Sequence, residues 1–342
     1  RAVEAAPLAV RAWFALAQML NGGGNGHEAS ITVNKREVTP HAALLNGLEL
    51  DWRHTPSWLA LASALSGGEQ VVFHGVPYTE HMCLAQALTS DPSSPDAWHQ
   101  LGGFYERVGR TRQAVGRHTP LLVEAFPLIT PAECYARAVS LDPDRPQFWF
   151  DLGVTLWGKQ ALRERSDDGS QSPSLSESQS TATPASHVHT DTMKATRAAP
   201  ETASITGLTV DAKSCHAQSL VFLPTLEKAW CNLGWILRTK EAVDVGMKRF
   251  SRVDCFVEAL KADRSMALAW RGLGLLMKTG ETKTIAGRDV TKLQCLQAAV
   301  SYNPRSAGAW FALANALDVD QVVLVEGNNR VDKAHCMKRA SE

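Results

Sequence analysis

The sequence contains one phrase twice, 40 residues apart: SRVDCFVEALKADRSMALAWRGLG at residues 251–274 and TKLQCLQAAVSYNPRSAGAWFALA at residues 291–314. In both copies a Cys stands fifteen residues before a Trp, and a Leu follows that Trp at the third position. Self-similarity at a fixed period of this length is typical of repeat proteins, in which each unit packs on its neighbours. The repeat therefore decides the fold class.

The same phrase can be placed along the whole chain. Seven tryptophans stand in register at spacings of 45, 40, 51, 81, 40 and 40 residues: Trp13, Trp58, Trp98, Trp149, Trp230, Trp270 and Trp310. The larger spacings indicate insertions in a 40-residue unit. Because the chain begins and ends inside a repeat, we expect it to be a fragment or one section of a longer array.

Each unit reads as two short helices. Apolar or small residues fall at the Trp and at positions three, four and seven after it, as at Trp149, Leu152, Gly153 and Leu156, which is one face of a helix. A residue that can cap a helix N-terminus stands four positions before each registered Cys, and before Ala43 in the first copy. These predicted caps are Thr39, Thr79, Thr130, Asp211, Ser251, Thr291 and Asp332.

The segment between the two helices of each unit has a pattern of its own. Short apolar-alternating runs flank a Gly or Asn in VVFHGVPYT (71–79), SITGLTVD (204–211), TIAGRDVT (284–291), ITVNKREVT (31–39) and VLVEGNNRVD (323–332). This pattern predicts β-hairpins. An isolated hairpin is marginal in water, so we expect successive hairpins to pair or lean on one another along one edge.

Composition excludes several classes of function. The chain has 35 basic and 35 acidic residues, so it lacks the basic excess that attracts nucleic acid or anionic membrane. It has no apolar run long enough to span a bilayer and no signal-peptide pattern, so we expect a cytoplasmic protein. No catalytic motif stands out, no CxxC or Cys-His pair has the spacing of zinc ligands, and His187 and His189 lack a third ligand, so we expect neither an enzyme nor a bound metal or cofactor.

Six of the seven cysteines occupy one equivalent position per repeat: Cys83, Cys134, Cys215, Cys255, Cys295 and Cys336. Equivalent helices in stacked repeats lie about 9 Å apart, which is too far for a disulfide. We expect these residues to be buried free thiols.

The array is interrupted once by a long tract rich in Ser, Thr, Ala and Pro. Such a composition cannot bury enough apolar surface to become ordered. We therefore predict repeats over residues 1–162, a disordered insertion over residues 163–203, and repeats again over residues 204–342. A smaller insertion is expected near residues 109–120.

The run from Ala87 to Gly102, in which Ala-Leu-x-x-x-Asp-Pro precedes Ala-Trp-x-x-Leu-Gly, resembles the tetratricopeptide repeat. The resemblance implies a mainly α fold, an α-solenoid, and with the hairpin pattern we expect helix-hairpin-helix repeats with short β-hairpins along one edge. It departs from the family by the residues inserted between the two helices of each unit. A HEAT-like helical scaffold is the competing interpretation.

In the resembled family, the first helices line an inner groove that binds protein segments. The corresponding positions here are Phe14, Leu59, His99, Phe150, Trp157, Trp235, Arg271, Leu275, Phe311 and Asn315. No unit carries the Lys and Asn of the family's carboxylate clamp, so we do not expect chaperone-tail binding. We predict a non-catalytic scaffold for a protein segment with apolar anchors, without nucleic-acid or membrane partners. The alternative is the targeting region of a larger enzyme.

Overall fold

The computed structural model describes residues 10–21, 30–33, 36–65, 69–115, 129–168, 202–205, 207–318, 320–325 and 329–342. It divides into two compact units. The first comprises Arg1–Pro143 with Ser204–Gly207, and the second comprises Asp144–Ala203 with Leu208–Glu342.

The described residues are mainly helical, as the sequence predicts. They form fourteen helices: α1 Val10–Asn21, α2 Pro40–Leu50, α3 Thr55–Ala64, α4 Glu80–Ser90, α5 Pro95–Val115, α6 Pro131–Leu141, α7 Pro146–Asp168, α8 Ala212–Phe222, α9 Glu227–Ile236, α10 Arg252–Ala262, α11 Ala267–Leu276, α12 Lys292–Tyr302, α13 Ala307–Ala316 and α14 Lys333–Ser341. They also form twelve strands: β1 Ile31–Val33, β2 Arg36–Val38, β3 Gln70–Phe73, β4 Val76–Thr79, β5 Thr202–Ile205, β6 Leu208–Asp211, β7 Ala242–Val245, β8 Lys248–Ser251, β9 Thr282–Ile285, β10 Arg288–Thr291, β11 Val323–Val325 and β12 Asn329–Val331.

All seven predicted caps are confirmed. The side-chain oxygen of each accepts a hydrogen bond from the backbone N–H three residues later, which satisfies one of the unpaired donors at the start of the helix. Thr130 and Glu133 form the predicted capping box, and Ser251 with Asp254 and Thr291 with Gln294 form two more. The start of each second helix is thus specified by local chemistry.

The predicted strands also form, and the sequence AVDVGMKRFS at residues 242–251 adds a hairpin that we did not predict. In the hairpin of β9 and β10, Ile285 lies opposite Arg288, so only Ala286 and Gly287 form the loop. Both loop residues have positive φ, at 47° and 80°. Such a loop matches the twist of paired strands, which explains the Gly in the sequence pattern.

The hairpins do not pair with one another in the part of the chain that the structure describes, because every sheet there has two strands. Each hairpin of the second unit instead contacts the second helix of the preceding repeat: β7 contacts α8, β9 contacts α10, and β11 contacts α12. The amide of Gln297 in α12 donates a 2.8 Å hydrogen bond to the carbonyl oxygen of Leu324 in β11. A helix therefore supplies the support that an isolated hairpin needs.

Within each unit, helices pack on their sequence neighbours. In the second unit, each first helix packs on the second helix of its own repeat, and α8, α10 and α12 pack on the first helix that follows. First helices also contact each other, α9 with α11 and α11 with α13. The described residues thus contain the repeated helix-pair packing that the register predicts.

The registered tryptophans are structural. Trp13, Trp58, Trp98, Trp230, Trp270 and Trp310 are buried, whereas Trp149 is partly exposed and its neighbour Phe148 is buried. The indole N–H of five of them donates to the backbone carbonyl six residues earlier, at 2.7–2.9 Å. These are Trp58, Trp98, Trp230, Trp270 and Trp310. Each of these bonds fixes the turn that leads into a first helix.

All seven cysteines are free and buried, which confirms the prediction of buried thiols. Burial raises the pKa of Cys83, Cys134, Cys255 and Cys295 to about 12 in each case. A thiol with so high a pKa stays protonated and is a poor nucleophile.

Regular elements extend into both predicted insertions. Helix α7 continues to Asp168, so residues 163–168 are helical, and strand β5 begins at Thr202. Helix α5 continues to Val115, into the region predicted as the smaller insertion. The remainder of the Ser-rich tract, residues 169–201, lies outside the described residues, and so do residues 116–128.

Candidate functional site

The three predicted groove residues of the first unit take part in packing. The ring of Phe14 meets His54 edge-on at 5.5 Å between centroids, and the ring of His99 lies 5.4 Å from that of Tyr135. Leu59 is buried. These three side chains therefore pack within the first unit and are not simply groove-lining residues.

Two of the predicted residues of the second unit are also held by their neighbours. The ring of Phe150 lies 5.4 Å from His216, a fully buried side chain. Arg271 is only 6% exposed, and its guanidinium carbon lies 5.1 Å from the centre of the Trp235 ring. A Cβ atom at Gly308 would overlap the Arg271 guanidinium, so the glycine makes room for it. The sequence position alone did not indicate this burial.

The other five predicted residues of the second unit are at least partly open. Leu275 is 50% exposed, Phe311 is 52% exposed, and Asn315 is exposed. Trp157 and Trp235 are half-buried. Trp235, Leu275 and Phe311 lie on helices α9, α11 and α13, each of which contacts the next. We call these five residues the first-helix surface.

A pocket of about 320 Å³ lies at one end of this surface, and we call it the Trp-Arg pocket. It is lined by Trp157, Trp235, Ile236, Leu237, Arg238, Thr239 and Arg252. The volume falls at the lower end of the range for ligand pockets, roughly 300–1,000 Å³. The two indoles provide apolar walls, and the two arginines provide all the formal charge.

Arg252 is positioned by the end of helix α9. Its Nε–H donates a 2.9 Å hydrogen bond to the carbonyl oxygen of Gly234, and Lys333 donates in the same way to the carbonyl of Leu317 in the last repeat. A cation is favourable there because the C-terminal end of a helix carries partial negative charge. This bond uses one of the five N–H donors of the guanidinium.

The electrostatics of the pocket favour a negative ligand. Among the described residues, no carboxylate forms a salt bridge with Arg252, and burial lowers the pKa of its guanidinium. The nearby Glu241 is already engaged, because its two oxygens accept from the backbone N–H of Arg238 at 2.9 Å and from Lys213 at 2.6 Å. These two donors, the backbone N–H first, lower the pKa of Glu241, so it remains ionised.

Sequence reasoning did not identify Arg252 as a site residue. The sequence holds a weak signal that Arg252 is unusual. It directly follows the N-cap Ser251, where a positive charge is repelled by the positive end of the helix dipole. The compensating carbonyl of Gly234 comes from another helix. Such a partner cannot be located from local sequence.

The described residues contain no group of three or more side chains placed to hold a metal ion. No helix among them is long and apolar enough to cross a membrane. Compared with known proteins, the chain matches no protein-family model and no curated protein.

Proposed function

We propose that this chain is a non-catalytic interaction module, a helical array resembling the tetratricopeptide repeat, that binds a protein segment along the first-helix surface. Helix-pair packing repeated in sequence order supports the resemblance. Stacked helix pairs provide extended surfaces for partners.

The observation that carries the proposal is the exposure of Leu275 and Phe311 on two first helices that contact each other. The half-buried indoles of Trp157 and Trp235 lie on preceding first helices. Aromatic side chains are enriched among the residues that carry binding energy at interfaces. A helix or extended segment with apolar anchors is the kind of ligand that such a surface fits.

Affinity capture tests the proposal with the double variant Leu275→Ser, Phe311→Ser. Both side chains are half-exposed, so the substitutions remove apolar contact area without opening a cavity in the core. Phe150 is less suitable because it packs on the buried His216. We expect the double variant to lose the partners that the wild-type chain retains.

Leu324→Ser is the matched control, because Leu324 is an apolar residue of similar exposure, 53%, on strand β11. The control is expected to retain the partners, and both variants should keep the helical circular dichroism of the wild type. Equal capture by the double variant and the control would show that the first-helix surface is not the binding site.

A further inference from the structure

The charge of the Trp-Arg pocket is unbalanced. Among the described residues, Arg238 and Arg252 are the charged residues that line it, and Glu241 already accepts hydrogen bonds from the Arg238 backbone N–H and from Lys213. The Arg252 guanidinium is partly withdrawn from water without an acidic partner in the described residues. Withdrawing a cation from water costs free energy that an incoming anion would offset.

The shape of the pocket adds a second requirement. Trp157 and Trp235 both line it, and the Trp235 ring packs against Phe256, edge-on at 5.5 Å between centroids, and against the Arg271 guanidinium. Indole walls, of which that of Trp235 is packed in place, favour a ring or a branched apolar side chain. A ligand that fills the pocket must therefore combine an anion with an apolar group.

We propose that the Trp-Arg pocket binds an acidic peptide segment in which an aromatic or branched apolar side chain inserts between the indoles and a neighbouring carboxylate pairs with Arg252 and Arg238. A planar guanidinium can donate two parallel hydrogen bonds to a carboxylate, which makes such pairs strong and directional. This inference rests on the proposed function, because it specifies the chemistry of the segment that the first-helix surface binds.

A single-stranded nucleic acid also combines anions with rings, but the surface beside the pocket does not suit it. Binding of a nucleic-acid backbone requires a track of cations that follows successive phosphates. The first-helix surface continues from the pocket through Leu275, Phe311 and Asn315, none of which is charged. The pocket thus offers positive charge at one point, which matches a side-chain carboxylate.

The test uses fluorescein-labelled nonapeptides and the full chain, with binding measured by fluorescence anisotropy. One peptide has a central Phe flanked by Glu residues, and two matched peptides replace either the Glu residues by Gln or the Phe by Ala. We expect the first peptide to bind and the Gln peptide to bind at least about tenfold more weakly, since hydrogen bonds to charged groups contribute about 1.5–3 kcal/mol. The Ala peptide should also bind at least about tenfold more weakly, because it lacks the ring that fills the pocket. Binding should weaken as salt is added.

The variants assign the binding to the pocket. Arg252→Gln removes the charge, and we expect at least about a tenfold loss of affinity for the acidic peptide, with partial recovery in Arg252→Lys. If Arg252→Gln fails to fold, Arg238→Gln replaces it as the test. Arg238 is exposed, so its substitution should not affect folding. Trp157→Ala should also weaken binding.

Failure to bind the acidic peptide, or binding that Arg252→Gln and Trp157→Ala both leave unchanged, would overturn the inference. Tighter binding of a labelled oligouridylate than of the peptide would overturn it in favour of nucleic acid. The result is separable from the proposed function. If Leu275→Ser, Phe311→Ser loses the captured partners and the wild type does not bind the peptide, the first-helix surface is the binding site and the pocket is not. If that variant keeps its partners and the wild type binds the peptide, only the pocket proposal stands.

Discussion

The indole Nε1–H of Trp270 donates a 2.7 Å hydrogen bond to the backbone carbonyl oxygen of Arg264, six residues earlier. The same turn is closed at its other end by Asp263, whose carboxylate accepts from the backbone N–H of Ser265 at 2.8 Å. One side chain thus contributes both apolar burial and the geometry of the connection between α10 and α11. Phenylalanine could reproduce only the first of these contributions.

We expect Trp270→Phe to lower the free energy of unfolding by about 1–2 kcal/mol, because it removes a hydrogen bond and leaves the Arg264 carbonyl unpaired. Trp270→Ala should cost about 3–5 kcal/mol, because it also leaves a cavity in the core. Denaturant melts followed by circular dichroism measure both values. No measurable loss in Trp270→Phe would show that the hydrogen bond contributes nothing, and equal losses for the two variants would show that the apolar burial adds nothing to it.

The small residue four positions after each registered Trp is expected to be coupled to the residue after the Cys. A Cβ atom at Gly234 would lie 2.6 Å from the Phe256 ring, so Gly234→Ala forces the ring to move and should cost about 1–3 kcal/mol. The repeat of Trp58 has Ala62 and Leu84 at the same two positions. In that repeat an Ala at the first position is accompanied by a Leu, smaller than Phe, at the second. We therefore expect Phe256→Leu to lower the free energy of unfolding less in the Gly234→Ala background than in the wild type.

A double-mutant cycle in denaturant melts measures this coupling, which should exceed about 0.5 kcal/mol. Strictly additive losses would mean that the two positions do not depend on each other. Gly158→Ala is a suitable control, because a Cβ atom there meets no other atom within 4 Å.

A stabilising substitution is expected in the hairpin of β9 and β10. Ala286 has a φ of 47°, in the left-handed region that costs a residue with a Cβ atom about 1–2 kcal/mol. Ala286→Gly should relieve this strain and stabilise the hairpin by about 0.5 kcal/mol after the added flexibility of the unfolded chain is subtracted. Hydrogen exchange at the strand amides should slow, whereas Gly287→Ala, at a φ of 80°, should make it faster.

The stability of the second unit is expected to depend on His216. Its side chain is fully buried, the amide nitrogen of Asn232 lies 3.4 Å from its Nε2, and burial lowers the pKa of its imidazole to about 3, opposed by the weaker attraction of Asp151. The folded state therefore keeps His216 neutral, while the unfolded state takes up a proton below about pH 6.5. Stability should fall as the pH decreases from about 6.5 toward 3, by up to about 1.4 kcal/mol per pH unit from this residue.

His216→Phe tests this pH dependence, because Phe256 occupies the equivalent position of the next repeat. Unfolding free energies measured over this pH range should show a shallower slope for the variant than for the wild type. Parallel curves would show that His216 is not the group responsible.

The parts of the fold that follow from short-range chemistry could be predicted from the sequence. The cap of each second helix depends on an oxygen such as that of Thr291 and an N–H three residues later, and the hairpin of β9 and β10 depends on two adjacent loop residues. We expected successive hairpins to pair or lean on one another; in the described residues they do not pair, and the hairpins that begin with β7, β9 and β11 contact the second helix of the preceding repeat instead. The local pattern predicts a strand but not its neighbour.

The candidate site could be predicted only in part for a similar reason. The register identifies which residues lie on first helices, but the exposure of each depends on side chains of other helices. Leu275 is open, while Arg271, four residues earlier on the same helix, is covered by Trp235 and faces Gly308. The charge of the Trp-Arg pocket likewise depends on Arg252, which the end of another helix positions.

The hydrogen bond from a registered Trp to the turn before it bears on how such a chain can change in length. Donor and acceptor, Trp270 and Arg264, lie within one 40-residue segment together with the cap Ser251 and its partner Asp254. A gene duplication that copied residues 251–290 would therefore copy every group that caps the second helix, closes the following turn and accepts the hydrogen bond of the Trp. Lengthening the protein by whole segments would therefore keep these bonds within each segment, and the packing between neighbouring segments, such as that of Arg271 against Gly308, is the part that would have to adapt.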